Sequence, residues 1–250
     1  MATHDEMARS FGAAAGEYEQ GRPEYPADAV RWLLEHVPQG ARVADVGAGT
    51  GKLTRVVEGL LAHAGGEVIA VEPDSQMLDA LRGLAPGVET LVGTAEHINM
   101  PDESLDAVVL GQAWHWVEPV AGSAEVARVL KPGGTLGLIW NIRDESVPWV
   151  ARLTQVMKGS AAEQLLSGDG PRVEAPFGEL ERRSWEWKRP MTRAALTSMV
   201  LSRSYIITAS PDDRARIERE IGALFDEIGA VGEASVDLPY LTHAFRTRRP

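Results

Sequence analysis

Apolar positions in the early part of the chain follow a helical period. In YPADAVRWLLEHV, residues 25–37, the apolar residues at helical spacing form one stripe: Val30, Leu33, Leu34 and Val37. Pro26 stands near the start of this segment, and the letters PQG that follow are typical of a helix end. The pattern predicts one amphipathic helix ahead of the main fold.

After this helix the pattern changes to short runs that are apolar at consecutive positions and rich in β-branched residues. Five runs have this character: RVADV (42–46), EVIAVE (67–72), VETLVG (88–93), LDAVVLG (105–111) and GTLGLIW (134–140). Runs apolar on both faces are typical of buried parallel strands. Helical segments lie between them: LTRVVEGLLAHA (53–64), SQMLDALRGL (75–84) and PVAGSAEVARVL (119–130), the last ending at KPGG, a loop signal. The alternation predicts a doubly wound α/β sheet.

The regular alternation ends after Trp140. Helices are expected in VPWVARLTQVMKG, around 192–203, and in residues 211–229, whereas GPRVEAPFGEL reads as a loop. The segment ERRSWEWKRP alternates like an edge strand, and ASVDLPYLTHAFRTR would form the last strand. No internal repeat or low-complexity linker divides the chain, so one domain is expected, with helices after the fifth strand forming part of a lid.

Composition narrows the class of protein. The chain has 250 residues, 44% of them hydrophobic and 24% charged, which is enough for a large core. A formal charge of −11 argues against a nucleic-acid partner, since phosphate binding needs a field of Lys and Arg. The sequence has no secretory signal and no transmembrane run, and without cysteine it has no disulfides and no thiolate zinc site. We therefore expect a cytoplasmic protein, and the predominance of Arg over Lys favours a bacterial source.

The segment RVADVGAGTGKL, residues 42–53, is the first candidate for chemistry. Gly47, Gly49 and Gly51 directly follow a predicted strand, and their backbone can turn tightly and approach a ligand without interference from a Cβ atom. A helix opens near Lys52, and its unpaired N–H groups favour a carboxylate or phosphate nearby. The loop predicts a ligand held against bare main chain, although a simple tight turn is the alternative.

A carboxylate on the next strand makes the prediction more specific. Glu72 ends that strand, where its two oxygens can accept both hydroxyl hydrogens of a ribose. The pair predicts a nucleoside-containing cofactor. A nicotinamide dinucleotide site has the same order of elements, but the spacing here is G-x-G-x-G, with Lys52 where G-x-G-x-x-G would have its last glycine. That spacing argues against a pyrophosphate.

Four motifs, in order and spacing, resemble those of class I S-adenosylmethionine-dependent methyltransferases. They are VADVGAGTGKLT, VIAVEPDSQML, GTAEHINMPDESLDAVVLGQAWHW and RVLKPGGTLGLIWN. The chain looks like the small-molecule enzymes of the type 11 kind, which include trans-aconitate methyltransferase-like proteins, and FGAAAGEYEQGRPEYP looks like the opening segment of that subgroup. The resemblance covers roughly residues 10–145. It implies S-adenosyl-L-methionine as cofactor and S-adenosyl-L-homocysteine as product.

The resemblance also implies an architecture. The expected fold is α/β, a doubly wound Rossmann-like seven-stranded, mostly parallel sheet with an antiparallel edge strand, helices on both faces, an N-terminal helical cap and a helical lid. It would form a single domain over residues 1–250. Its parts would be a cap (1–40), a cofactor-binding core (41–141), and lid helices with the last two strands (142–250).

Residue roles at the methionine end of the cofactor follow from the resemblance. Gly47, Ala48 and Gly49 would line the methionine part, with Asp45 holding the loop and the amino group. Gln112, just past the fourth strand, would face the same end. Two residues of the opening segment would cap the cofactor, Tyr18 and Arg22, with Arg22 paired to its carboxylate, unless they only hold the first helix.

The adenosine end has its own implied residues. Glu72 would take the ribose hydroxyls, and Pro73 and Met77 would pack near the adenine. In the segment GTAE, the backbone N–H of Ala95 would donate to adenine N1. Family members often have Asp where this chain has Thr94, so the contact to the adenine amino group would weaken or pass to Glu96.

The methyl acceptor is expected beside QAWHWVEP, residues 112–119, at the carboxyl end of the fourth strand. This segment contains His115, which either accepts a proton from a substrate hydroxyl or amine or only orients and shapes the pocket. A carboxylate nucleophile needs no base. Arg143, just after the fifth strand, would bind an acidic substrate or be an exposed side chain.

Some methyltransferase subclasses are excluded. Without cysteine there is no nucleophile for cytosine C5 methylation, and GQAW stands where DNA amino-methylating enzymes have an Asn/Asp-Pro-Pro-aromatic motif. Asp144 and Glu145 alone give little support to a metal site, so no metal is expected.

The prediction is methyl transfer by in-line displacement to a small-molecule acceptor through an oxygen nucleophile, carboxylate or hydroxyl. No nucleic-acid or membrane partner is expected, and the protein would be a monomer or homodimer. The alternatives are an NAD(P)-dependent oxidoreductase and a non-catalytic S-adenosylmethionine-binding protein.

Overall fold

Seven strands form one sheet in the order β3-β2-β1-β4-β5-β7-β6. The strands are β1 (Arg42–Val46), β2 (Glu67–Val71), β3 (Glu89–Leu91), β4 (Leu105–Gly111), β5 (Leu130–Arg143), β6 (Glu181–Thr192) and β7 (Ser235–Arg248). The computed structural model describes residues 21–157, 161–201, 206 and 209–250.

The five strands of the predicted core pair in parallel, whereas β7 runs antiparallel to both of its neighbours. The edge strand β6 is therefore joined to the sheet by an antiparallel ladder. The strands β1 and β4 are buried along almost their whole length, because each is covered on both faces. The doubly wound, Rossmann-like seven-stranded fold predicted from the sequence is confirmed.

Helices cover both faces of the sheet. They are α1 (Ala27–Leu33), α2 (Lys52–Leu61), α3 (Ser75–Leu84), α4 (Pro119–Val129), α5 (Pro148–Met157), α6 (Ala161–Ser167), α7 (Arg193–Leu201) and α8 (Pro211–Glu227). One core cluster joins α1 and α2 to the sheet, and a second, containing Trp140, joins α4 and the segment after α6 to it. A third cluster forms among α5, α7, α8 and the start of β7.

Two local predictions were wrong. The segment KPGG was expected to form a loop before β5, but β5 begins at Leu130 and includes it. Leu105 of β4 pairs with Leu130, whereas Ala107 pairs with Thr135, so the register shifts between these two pairs. The glycines therefore form an irregularity inside the ladder. The helix α6 was not predicted, since its seven residues are too few to show a clear period.

A buried ion pair attaches the segments after β5 to the sheet. The guanidinium of Arg143, at the end of β5, donates from Nη2 to Oε1 of Glu163 in α6 at 2.6 Å and from Nε to Oγ1 of Thr154 in α5 at 3.2 Å. The side chain of Arg143 is 3% exposed and that of Glu163 is 12% exposed. Of the two possibilities left open for Arg143, an exposed side chain is therefore wrong. The residue joins α5 and α6 to β5.

Loss of this pair should cost far more stability than loss of an exposed one. We expect Arg143→Met to lower the free energy of unfolding by about 3–5 kcal/mol, because Glu163 keeps a buried charge after losing its guanidinium partner. The matched control is Arg152→Met, which removes the exposed pair between Arg152 and Glu227 and should cost less than about 1 kcal/mol. Denaturant titration of both variants measures the difference, and equal losses would contradict the structural role given to Arg143.

Candidate active site

The loop between β1 and α2 has three glycines in left-handed backbone conformations. Their φ angles are +70° at Gly47, +56° at Gly49 and +87° at Gly51. The loop is tied to the end of β2, because the carbonyl oxygen of Val71 accepts from the N–H groups of Gly47 at 2.8 Å and Ala48 at 3.1 Å. A Cβ added at Gly47 would stand 2.7 Å from Cβ of Ala113, so position 47 requires glycine for space as well as for conformation.

Glu72 fixes the same loop from the end of β2. Its Oε2 accepts from the N–H of Gly49 at 2.9 Å, and its Oε1 accepts from the N–H of Asp74 at 3.0 Å. Burial raises the pKa of the Glu72 carboxyl, and the two backbone donors lower it in part. Each oxygen keeps a further lone pair for a ligand hydroxyl. This bond to Gly49 was not predicted, although the parallel pairing of β1 and β2 brings their carboxyl ends together.

Asp45 is a fully buried carboxyl on β1. Its Oδ2 accepts from the hydroxyl of Thr54, in α2, at 2.6 Å, so its hydrogen bond goes to the helix rather than to the loop. No donor among the described residues reaches its Oδ1. Burial raises the pKa of Asp45 to about 7; the hydrogen bond from Thr54 opposes the rise and the charge of Glu72 adds to it.

Gln112 follows β4 in a strained conformation, with φ at +55° although it is not a glycine. Its backbone N–H donates to the carbonyl of Ile139 at 2.9 Å, and its Nε2 donates to the carbonyl of Asn141 at 2.7 Å. In the part of the chain that the structure describes, its buried Oε1 has no donor. The hydrogen bonds to β5 therefore hold the backbone of Gln112 in its strained conformation. In this conformation the side chain of Gln112 lines the cleft.

Asp45, Gly47 and Gln112 line one cleft at the carboxyl ends of β1 and β4, whereas Gly49 and Glu72 are not among its lining residues. Five of the predicted site residues line it together: Arg22, Asp45, Gly47, Ala48 and Gln112. The sequence did not predict the seven further lining residues: Pro23, Tyr25, Thr50, Lys52, Leu53, Gly111 and Asn141. Tyr25, Lys52 and Asn141 all stand in motifs that carry the resemblance, and the hydroxyl of Tyr25 packs so closely on Gly111 that a Cβ there would stand 2.6 Å away.

The other predicted residues that the structure describes are not among those that line the cleft. Met77 is buried in α3 and Pro73 is exposed beside Glu72. Thr94 bridges to His97, its N–H donating to the His97 carbonyl at 3.1 Å, and Ala95 is buried. Oε1 of Glu96 accepts from the N–H of Glu118, the N-cap residue of α4, at 2.9 Å. Tyr18 lies outside the described residues.

His115 lies in a 3₁₀ turn, Trp114–Trp116, which only Ala113 separates from Gln112. The indole Nε1 of Trp140 donates to Nδ1 of His115 at 3.3 Å, and the imidazole packs against the ring of Trp116 with centroids 4.9 Å apart. The indole N–H of Trp114 donates to the carbonyl of Arg172 at 2.9 Å. The turn is thus held from β5 on one side and from the segment after α6 on the other.

The unpaired hydrogen-bond acceptors of the residues that line the cleft suit a cationic ligand that carries N–H donors. Oδ1 of Asp45 and Oε1 of Gln112 are both buried acceptors, and the described residues leave both without a hydrogen. An ammonium, with three N–H donors, satisfies such a pair at the lowest cost, since buried acceptors without partners are unfavourable. The amino group of an α-amino acid has this chemistry, so the methionine part of S-adenosylmethionine fits the residues present. No group of three His, Asp or Glu side chains that could hold a metal ion occurs in the described ranges.

The strand order, the glycine loop and the acid at the end of β2 together define a Rossmann-like cofactor-binding domain. Residues 44–138 match a family model described as a methyltransferase domain. Over 244 residues the chain is 44% identical to an uncharacterized methyltransferase of Mycobacterium tuberculosis (strain ATCC 25618 / H37Rv), covering 96% of each chain. The chain belongs to the class I S-adenosylmethionine-dependent methyltransferases, and S-adenosylmethionine is its cofactor.

Two further comparisons agree with this assignment. The malonyl-[acyl-carrier protein] O-methyltransferase of Methylococcus capsulatus is 35% identical over 135 residues, which is 51% of this chain and 48% of that protein. The solved structure of a proposed type II methyltransferase from Anaeromyxobacter dehalogenans superposes with a TM-score of 0.62 at 23% identity, covering 91% of this chain and 98% of the other. The latter likeness shows the fold.

A pair of glycines with equal φ angles separates backbone strain from crowding. Gly40 and Gly47 both have φ of +70°, but within the described structure nothing lies near a Cβ added at Gly40. We expect Gly40→Ala to lower the free energy of unfolding by about 1–2 kcal/mol, because alanine is strained in a left-handed backbone conformation. Gly47→Ala should cost about 1–3 kcal/mol more, because its methyl would overlap that of Ala113. Denaturant titration measures the free energy of unfolding of both variants. Equal losses would show that the loop moves away from Ala113 without a further loss of stability.

Buried Asp45 should make the stability of the protein fall as pH rises. Its pKa is raised from 3.8 to about 7 on folding, so the folded state holds the proton more tightly and stability is lost between about pH 4 and pH 7. We expect Asp45→Asn to be more stable than wild type by about 1–4 kcal/mol above pH 7, with the difference shrinking toward pH 4. Thermal unfolding across this range measures the effect, and a pH-independent difference would contradict it.

Proposed function

We propose that the cleft at the ends of β1 and β4 binds the methionine part of S-adenosylmethionine. The observation that carries the proposal is a pair of buried acceptors, Oδ1 of Asp45 and Oε1 of Gln112, which have no donor among the described residues and belong to two residues that line one cleft. The ammonium of the cofactor supplies donors to both. The cofactor carboxylate then lies toward Arg22, which also lines the cleft and offers a planar cation. Tyr18 is proposed to close the same end.

The adenosine part extends from the loop toward β2 and β3 in this proposal. Glu72 already accepts two backbone N–H groups, and its remaining lone pairs accept the ribose hydroxyl hydrogens. Pro73 and Met77 flank the adenine, and the backbone N–H of Ala95 donates to it. The hydroxyl of Thr94 replaces a carboxylate here. Glu96 is engaged with the N-terminus of α4, so it supports the pocket wall rather than the base.

The acceptor is proposed to be a small molecule methylated on oxygen, a carboxylate or hydroxyl. Support comes from the name of the O-methyltransferase that matches half of the chain and from the acidic charge, which disfavours a nucleic acid. The protein is proposed to act in the cytoplasm, because the sequence has no cysteine, as a monomer or homodimer. No helix in the described residues has the length and apolarity that crossing a membrane requires.

S-adenosylmethionine supplies an electrophilic methyl group when it is bound. The task of the protein is then alignment, because holding the reacting groups in line removes much of the entropic barrier. Glu72 and the loop glycines fix the cofactor side. The turn containing His115 and Trp116 borders the acceptor side, where its aromatic rings exclude water and favour a cationic sulfur. His115 contacts the acceptor in this arrangement.

Calorimetry with S-adenosylhomocysteine tests the cofactor assignment. We expect wild type to bind it and Asp45→Asn to bind at least about tenfold more weakly, because a charge-assisted hydrogen bond to the ammonium is lost. The Asn variant is expected to fold at least as well as wild type, so weak binding cannot result from unfolding. The matched control is Asp79→Asn, at an exposed position on α3, which should bind normally.

Two outcomes would reject this site. Equal affinity of the Asp45 and Asp79 variants would show that the ammonium lies elsewhere, and titration of NADH giving tight binding in place of S-adenosylhomocysteine would favour an oxidoreductase. The acceptor is tested separately, by mass spectrometry of small carboxylic acids and phenols incubated with enzyme and S-adenosylmethionine. A gain of one methyl on oxygen supports the proposal, and methylation only of amines would reject an oxygen nucleophile.

A further inference from the structure

The hydrogen bond between Trp140 and His115 decides which nitrogen of the imidazole holds a proton. An indole Nε1 can only donate, so Nδ1 of His115, 3.3 Å away, must offer its lone pair. A neutral imidazole has one protonated nitrogen and one lone pair. With the lone pair at Nδ1 directed to Trp140, the proton is on Nε2.

We propose that Trp140 is a positioning residue that fixes His115 as a hydrogen-bond donor through Nε2, and that His115 therefore orients the methyl acceptor instead of removing its proton. This inference rests on the proposed function, in which His115 contacts the acceptor. It resolves the two roles that the sequence left open in favour of an orienting role. A general base needs a free lone pair toward the substrate, and here the lone pair is directed toward β5.

The donor in this pair cannot easily move away. Trp140 is fully buried in β5, where it pairs with His243 of β7, and its ring meets Phe245 edge to face with centroids 5.8 Å apart. Rotating the indole would require a cavity in a closely packed core. The N–H of Trp140 therefore keeps its direction, and the imidazole adjusts to it.

Hydrogen bonds also fix the turn that contains His115. The N–H of Trp116 donates to the carbonyl of Ala113 at 2.9 Å, and Trp114 is buried and hydrogen-bonded to Arg172. Gln112, two residues before the turn begins, is attached to β5 by two hydrogen bonds. The backbone on both sides of His115 is thus fixed, so a flip of the ring, which would put Cδ2 in the place of Nδ1, would have to break the bond to Trp140.

The assignment has a consequence for the reaction. As the new oxygen–methyl bond forms, the bond between sulfur and methyl breaks and its electron pair stays on sulfur, which becomes neutral. An N–H at Nε2 orients an oxygen lone pair of the acceptor toward the methyl group without taking a proton. An acceptor that enters ionised loses no proton, and a hydroxyl acceptor releases its proton to water instead of to His115.

Nitrogen-15 NMR of the imidazole side chains reads the tautomer directly, without any substrate. We expect His115, identified by the signal that disappears in His115→Gln, to show the Nε2–H tautomer in wild type and a mixture of tautomers in Trp140→Phe. The matched control is Trp187→Phe, which removes an indole N–H bonded to Thr242 on the same sheet and should leave the His115 signal unchanged. An Nδ1–H tautomer in wild type would overturn the proposal.

Two variants of His115 keep the proposal testable if Trp140→Phe does not fold. Glutamine places an amide N–H near the position of Nε2 and cannot act as a base, whereas asparagine places its amide near Nδ1. We expect His115→Gln to keep kcat within about tenfold of wild type with an unchanged pH profile, and His115→Asn to fall at least about tenfold below the Gln variant. Equal, severe losses in both, with a changed pH profile, would identify a base instead.

Cofactor affinity separates this inference from the proposed function. We expect S-adenosylhomocysteine to bind both His115 variants and Trp140→Phe as it binds wild type, because its sulfur is neutral and none of these residues is proposed to hold its methionine or adenosine part. If wild type itself fails to bind, the proposed function fails while the NMR result on the tautomer still stands. If wild type binds and the tautomer is reversed, only the role given to Trp140 and His115 fails.

Discussion

Two backbone N–H groups, those of Gly49 and Asp74, donate to the buried carboxylate of Glu72, and the shape of the cleft depends on this arrangement. The loop after β1 has left-handed residues that most sequences avoid, so it needs external support to keep one conformation. Glu72 and the carbonyl of Val71 provide that support from the neighbouring parallel strand. In the proposed function, a carboxylate already fixed in this way meets the ribose hydroxyls without reorganising.

The acidic character of the site has a cost in stability. Asp45 and Glu72 are both buried, burial raises the pKa of each, and the charge of Glu72 raises the pKa of Asp45 further. A protein selected only for stability would not retain such a pair. In the proposed function the ammonium of the cofactor compensates this charge, so the same carboxylate that destabilises the empty cleft strengthens binding.

In the proposed function, the acceptor side is assembled from distant parts of the chain. The turn at His115 follows β4, its hydrogen-bond donor Trp140 lies on β5, and the carbonyl that holds Trp114 belongs to Arg172, after α6. The helix α6 is in turn attached to β5 through Glu163 and Arg143. In that proposal, changes in the segments after β5 can reach the acceptor pocket through these packed contacts.

The sequence by itself determined the parallel core, the glycine loop, the position of Glu72 at the end of β2 and the family, because these depend on local period, on backbone conformations that only glycine adopts readily, and on fixed spacing within motifs. The bond from Gly49 to Glu72, the strained backbone of Gln112, the ion pair of Arg143 and the direction of the His115 lone pair were decided only by the tertiary structure. Each of these joins strands or helices that are far apart along the chain, where no short-range pattern records which side chains meet.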